Sequence, residues 1–194
     1  ERGDLLQKIE RDTGRVPLTH DGEEGGIVRD PGVTPWREID LANAAFGQGV
    51  AVTPIQLVNA YAALLNGGTV GRPHVVKAIG AHEVAPTTLG QAIDPAITPD
   101  LIRMMDHVIE EVPFYRDRTK VPGYHVGGKT GTAQIWDASA NRGRGAWKDN
   151  LFNYSFVGYI AREKGVPDLV IAVRIEEGRP TFARVGHLEM RVMS

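Results

Sequence analysis

The chain has 194 residues, with 22 basic against 24 acidic side chains, so its formal net charge of −2 offers no bulk attraction to nucleic acid or an anionic membrane. It contains no cysteine, which excludes disulfides, thiolate catalysis and thiolate metal sites together. Its six histidines are scattered without ligand spacing, and apolar runs such as Leu169 to Val173 fall far short of a membrane-spanning helix.

Residues 1–40 read as a short helix, Asp4 to Arg11, and then a loop-rich stretch carrying Gly14, Pro17, Gly22, Gly25-Gly26, Pro31-Gly32 and Pro35. The paired acids Glu23-Glu24 within it read as solvated surface. Asp40 to Phe46 predicts a short helical turn closed by Gly47-Gln48-Gly49; Gln48 is either a ligand-facing amide or simply the end of a helix. The clearest helix follows, with Thr53 as N-cap, Pro54 at the first position, a broad apolar face from Ile55 to Leu65, and Asn66-Gly67-Gly68 as its stop. That face predicts a helix buried on most sides.

Val75 to Ile79 reads as a short strand and Ala85 to Ile97 as a polar loop. Thr98 and Pro99 repeat the cap-and-proline signal and open a second helix ending at Pro113. Leu101, Ile102, Met105, Val108, Ile109 and Val112 fall on one stripe of it, with Arg103, Asp106, Glu110 and Glu111 on the polar face. A strand through Lys129 comes next, then a loop from Asp137 to Asn150 whose Arg-Gly alternation reads as a hairpin connection and not as an RNA-binding segment. Tyr154 to Ala161 and Asp168 to Ile175 predict two strands joined by Gly165-Val166-Pro167, an antiparallel hairpin. Pro180 to Met193 predicts a final helix weakened by Gly186. Three consecutive strands with helices before and after them make the chain α+β, an antiparallel sheet flanked by helices.

The chemistry concentrates in Lys129-Thr130-Gly131-Thr132, which offers a fixed cation, two hydroxyls and a glycine where another backbone can come close. Those parts suit a carboxylate-bearing peptide held beside a nucleophile. Gly123 to Thr130 also satisfies the phosphate-loop pattern of two glycines followed by Lys-Thr. Its context argues against a nucleotide: Arg116 to Pro122 is charged and proline-broken instead of a buried strand, and the residues after Thr130 suit a strand, not a helix's first turn. A glycine-rich strand with an incidental lysine is the third reading.

The ordered series Phe46-Gly47-Gln48-Gly49, Thr53-Pro54-Ile55-Gln56-Leu57, Ala60-Tyr61-Ala62, Asn66-Gly67-Gly68 and Gly128-Lys129-Thr130-Gly131-Thr132-Ala133-Gln134 resembles the C-terminal part of the transpeptidase domain of class B penicillin-binding proteins. The resemblance covers nearly all of residues 1–194 and implies part of a β-lactamase/transpeptidase-like fold. In that family a serine attacks a D-Ala-D-Ala peptide stem of peptidoglycan, D-alanine leaves, and an amine from a second stem resolves the acyl-enzyme; β-lactams acylate the same serine. Carried over, Lys129 and Thr132 are the catalytic contributors, Lys129 by its charge and Thr132 by a backbone N–H in the oxyanion hole. Lys129, Thr130, Gly131, Thr132 and Gln48 are the substrate-binding set. The resemblance implies no cofactor, no metal and no nucleic-acid partner. It implies residence in the bacterial cell envelope, with membrane contact only through an anchor outside this chain.

The family's other two motifs, Ser-x-x-Lys and Ser-x-Asn, are expected in an N-terminal part not included here. The three serines are Ser139, Ser155 and Ser194, and none is followed by lysine three residues on. Ser139-Ala140-Asn141 matches Ser-x-Asn by letter but follows the Lys-Thr-Gly strand, where the family places it before. This polypeptide alone is therefore expected to be inactive, since removing such a serine typically costs about 10⁶ in kcat. A carboxypeptidase or β-lactamase on the same fold is a neighbouring reading, and a non-catalytic carboxylate-binding module is the alternative from another class.

Overall fold

The computed structural model describes residues 26–27, 34–74, 76–179, 181–185 and 188–192, the last two stretches by their backbone. The helix expected over Asp4 to Arg11 lies outside the described residues. The first described helix, α1 (Glu38–Ala45), starts where the Asp40 carboxylate accepts the Arg37 backbone N–H at 3.1 Å and its Nε at 2.9 Å. Next, α2 (Pro54–Leu65) opens on a capping box: Thr53 Oγ1 accepts the Gln56 N–H at 3.3 Å and Gln56 Oε1 accepts the Thr53 N–H at 2.8 Å. Its end is the expected one, with Gly68 donating its N–H to the Ala63 carbonyl at 2.7 Å and both Gly67 and Gly68 at positive φ. The helix is less enclosed than its apolar face predicts. Gln56, Ala63 and Leu65 are fully buried, and the other apolar residues of the face are half-buried.

Two short ribbons follow. Strand β1 (Thr69–Gly71) pairs with β4 (Thr88–Gln91), and between them β2 (Ala78–Ile79) pairs with β3 (His82–Glu83). This corrects two expectations: of the strand sought over Val75 to Ile79, whose first residue lies outside the described residues, the described part is a strand only at Ala78–Ile79, and the polar stretch 85–97 holds a strand and a 3₁₀ turn, Pro95–Ile97. β4 has weak strand propensity of its own and is fixed by partners far along the chain. The Gln91 side-chain amide donates to Ile93 O at 2.7 Å and also reaches Gly67 O, tying the strand to the stop of α2.

The long amphipathic helix α3 (Thr98–Glu111) buries Ile102, Met105 and Ile109 as its stripe predicts. Thr98 is not its N-cap. The residue lies inside the first turn, and its hydroxyl donates to the Leu64 carbonyl at 2.9 Å, clamping α3 to the end of α2. Asp106, expected on the polar face, is buried, because the Tyr159 hydroxyl donates to its Oδ1 from the sheet. Pro113 ends α3 and begins a further short helix, α4 (Pro113–Arg118), a first-turn position that proline tolerates.

The main sheet has three antiparallel strands in the order β5 (His125–Asp137), β6 (Ala146–Ala161), β7 (Leu169–Gly178). The β6–β7 hairpin is the one expected, with Tyr154 opposite Ile175 and Ile160 opposite Leu169. Leu65 from α2, Ile102 and Met105 from α3, and Tyr159 and Ala161 from β6 form the buried core between helices and sheet. Leu169, Ile171 and Val173 of the outer strand β7 lie on the other face and are about half exposed. The C-terminal stretch is not a helix: β8 (Thr181–Val185) and β9 (Leu188–Val192) pair antiparallel, Thr181 opposite Val192 and Val185 opposite Leu188. Alternating β-formers on each side of Gly186, a residue costly inside a helix, favour the ribbon.

Candidate active site

The glycines of β5 make room for β6. A Cβ on Gly127 would overlap the Tyr159 ring and come within 3.0 Å of Asp106 Oδ1, and a Cβ on Gly128 would overlap the Phe156 ring. At Gly131 the intruding atom would be Ser155 Oγ. The two residues pair directly in the register, so Gly131 has an internal packing reason besides any ligand. Burial and then the Asp106 bond push the Tyr159 phenol well above its ordinary value. The pair pins α3 onto β6 at Tyr159, which lies opposite Gly127, two residues before Lys129 on β5.

Beyond this closed end the strand opens. Gly127 and Gly128 are buried, Lys129 and Thr132 are exposed, and Thr130 and Gly131 are half-buried. Lys129 shares the helix-side face with Gly127 and Gly131, whereas Thr130 and Thr132 point to the opposite face. The cation and the hydroxyls therefore flank, from opposite faces, the edge of β5 away from β6, where no described strand pairs with it. Lys129 Nζ donates to the Thr130 carbonyl at 2.7 Å, which already draws the ammonium along its own strand. An extended ligand laid on that edge meets backbone donors and acceptors, one cation and two hydroxyls.

The phosphate-loop reading fails on this geometry, since β5 runs unbroken from His125 to Asp137 and no helix opens after Lys129. Gln48 is not brought to the tetrad. It is half-buried in a separate cavity of about 200 Å³ whose lining includes Trp36, Arg37, Asp40 and Asn43 and none of residues 129–132. The two described serines have local partners. Ser139 donates its hydroxyl to Asp137 Oδ1 at 2.6 Å in the turn after β5, holding that carboxyl below the usual range, and Ser155 packs on Gly131.

Comparison with known proteins decides the family: the penicillin-binding protein transpeptidase domain model matches residues 4–187. The chain belongs to that family. A probable peptidoglycan D,D-transpeptidase, PbpC of Pseudomonas aeruginosa, is 35% identical over 185 residues, 94% of this chain and 29% of the relative. Penicillin-binding protein PbpB of Mycobacterium tuberculosis is 31% identical over 177 residues, 86% of this chain and 25% of the relative. The chain thus spans under a third of the length of these relatives. Among solved structures, the transpeptidase domain of Burkholderia pseudomallei penicillin-binding protein 3 superposes with a TM-score of 0.69 at 28% identity, over 89% of this chain and 48% of that one. Penicillin-binding protein 3 of M. tuberculosis, solved with ampicillin, has a TM-score of 0.72 at 24% identity, over 90% of this chain and 39% of that one, which shows the shared fold. The α+β transpeptidase fold read from the sequence is therefore the family's own. Among the described residues of this transpeptidase-family chain, no helix is long and apolar enough to cross a membrane.

Proposed function

We propose that this chain is the C-terminal part of a bacterial cell-wall D,D-transpeptidase domain and supplies its substrate-aligning strand. One observation carries the reading: β5 presents Lys129 on one face and Thr130 and Thr132 on the other, beside an edge that no described strand pairs with and where an extended peptide can add to the sheet. The Thr130 and Thr132 hydroxyls bind the terminal carboxylate of a D-Ala-D-Ala stem, or the equivalent carboxylate of a β-lactam. Lys129 supplies the countercharge, and a cation about 4 Å from a carboxylate contributes roughly 4 kcal/mol at an effective dielectric of 20, less where water enters. The Thr132 N–H serves the oxyanion hole, a role worth on the order of 10²- to 10³-fold in rate. The acylated serine and its lysine come from sequence outside this chain, in keeping with the local roles of Ser139 and Ser155. On this reading the working partner is the N-terminal part of the same domain, in the cell envelope.

The test is acylation of the full-length protein by a fluorescent penicillin, with the adduct located by mass spectrometry. The expected adduct lies on a serine outside this chain and forms about 10²-fold more slowly in Lys129→Ala. Labelling that ignores Lys129→Ala would sink the tetrad's role. Stem binding without any acylation would instead favour a non-catalytic carboxylate-binding module.

A further inference from the structure

Past the tetrad, β5 and β6 run on beyond the end of β7 as a two-stranded ribbon. The ribbon carries a tryptophan pair, Trp136 opposite Trp147, with ring centroids 5.1 Å apart and planes at 76°. These two large aromatic side chains are 51% and 49% exposed on a tip where burial does not require them. They are nonetheless fixed. Gly145, at φ +78°, lies against the Trp136 ring so closely that a Cβ there would overlap it. The turn that brings Gly145 there holds Asn141 and Arg142 in left-handed backbone, at φ 52° and 57°. Such conformations are unfavourable for residues that carry a Cβ and persist where the surroundings impose them, often at ligand clamps.

The pair also lies in line with the tetrad on the same strand. Thr132 and Trp136 are four positions apart, about 13 Å at roughly 3.3 Å per residue. A peptide whose carboxylate sits at Lys129 and Thr130 can leave along the edge in only one open direction. Toward His125 the strand is buried at Gly127, which faces α3, and at Gly128, which lies under the Phe156 ring, whereas toward Asp137 it is exposed at Thr132, Gln134 and Trp136. That direction makes the peptide antiparallel to β5, the more stable pairing, and carries its amino-terminal end to the tryptophans.

We infer that Trp136 and Trp147 form a sugar-binding platform for the glycan that carries the stem peptide. This rests on the tetrad reading above. The glycan is the occupant because an extended stem needs only about four residues to span the distance from Thr132 to Trp136, which brings its glycan-bearing amino-terminal end to the indoles. The chemistry agrees: a pyranose ring presents an apolar C–H face to an indole, and the indole N–H is a donor for its hydroxyl or acetamido oxygens.

The test compares two ligands on the full-length protein, each ending in D-Ala-D-Ala: a free stem pentapeptide and the same stem on its N-acetylated disaccharide. Both compete against a fluorescent penicillin. The disaccharide-linked stem should compete about tenfold better than the free stem, and Trp136→Ala with Trp147→Ala should abolish that ratio while leaving competition by the free stem unchanged. A ratio near one in the unmodified protein, or one that survives the double substitution, overturns the platform. Lys129→Ala separates the two proposals, because it should weaken both ligands equally; loss of free-stem competition only through the tryptophans would overturn both. An N-acetylglucosamine trisaccharide alone should shift the indole N–H resonances of Trp136 and Trp147 and leave Trp36 in place. Shifts produced equally by the free stem, or by anionic vesicles in place of sugar, would assign the pair to peptide or lipid and overturn the inference.

Discussion

One strand, β5, has two ends built to opposite purposes. From Val126 to Gly128 it is closed: two glycines admit the Tyr159 and Phe156 rings, α3 lies above, and a buried hydroxyl–carboxylate pair locks the layers. From Lys129 to Trp136 it opens, with alternate side chains in water and one edge that no described strand pairs with. The closed end holds the strand still so that the open end can present groups at fixed positions, a division of labour that rigid scaffolds under functional sites require.

The comparison can be broken most forcefully at the closed end. Gly127→Ala should destabilise by about 3 kcal/mol, since Tyr159 is held by its hydroxyl and cannot swing aside, and a thermal melt should fall by roughly 6–12 °C. At the open end, Lys129→Ala should leave that melt within about 1–2 °C, because the side chain is exposed, while penicillin acylation falls about 10²-fold. A variant that lost both together would show that the two ends are not separable.

Tyr159→Phe sharpens the division further. It leaves Asp106 buried without its donor and should cost about 1–3 kcal/mol by denaturant unfolding. It should also change the alkaline limb of stability. The Tyr159 phenol is raised in the folded protein, so its contribution is whole below its unfolded value, near 10, and is lost as pH climbs from there toward the higher folded value. Stability of the unmodified protein should therefore decline above about pH 10 more steeply than that of Tyr159→Phe. The smallest effect is expected far from β5: Thr53→Ala removes the cap of α2 and should cost about 1 kcal/mol, with acylation unchanged.

The open end was legible in the sequence and the closed end was not. Lys129 to Thr132 announced itself by residue type, Thr53-Pro54 and Asn66-Gly67-Gly68 bounded a helix by local chemistry, and the β6–β7 hairpin followed from alternation. Asp106 looked like surface because helical periodicity assigns a face but cannot foresee a tyrosine 53 positions later arriving to meet it. Thr98 failed as a cap for a similar reason, its hydroxyl being claimed by Leu64 across the helix pair. β4 and the β8–β9 ribbon exist through pairing, a non-local term that overrides weak propensity. Gln48 carried a correct local signal, a glycine-flanked helix end, and the fold placed it in a cavity apart from the tetrad. The tryptophans were visible as residues, but their pairing depended on the register of a hairpin with a bulge between Gln134 and Trp136.

The Phe156 ring occupies the space over Gly128 on β5 and over Gly158 on its own strand. That side chain sets the permitted size at 128, next to Lys129, whereas at 158 the Gly127 carbonyl oxygen limits it as well. Substitution histories at 128 and 156 should be linked: a larger residue at 128 becomes tolerable only after position 156 has shrunk, and a smaller residue at 156 leaves a void that invites 128 to grow, while 158 stays small beside the Gly127 carbonyl. Drift at these sites is expected to proceed in correlated steps, and the neighbouring lysine keeps its place only along the paths that respect that order.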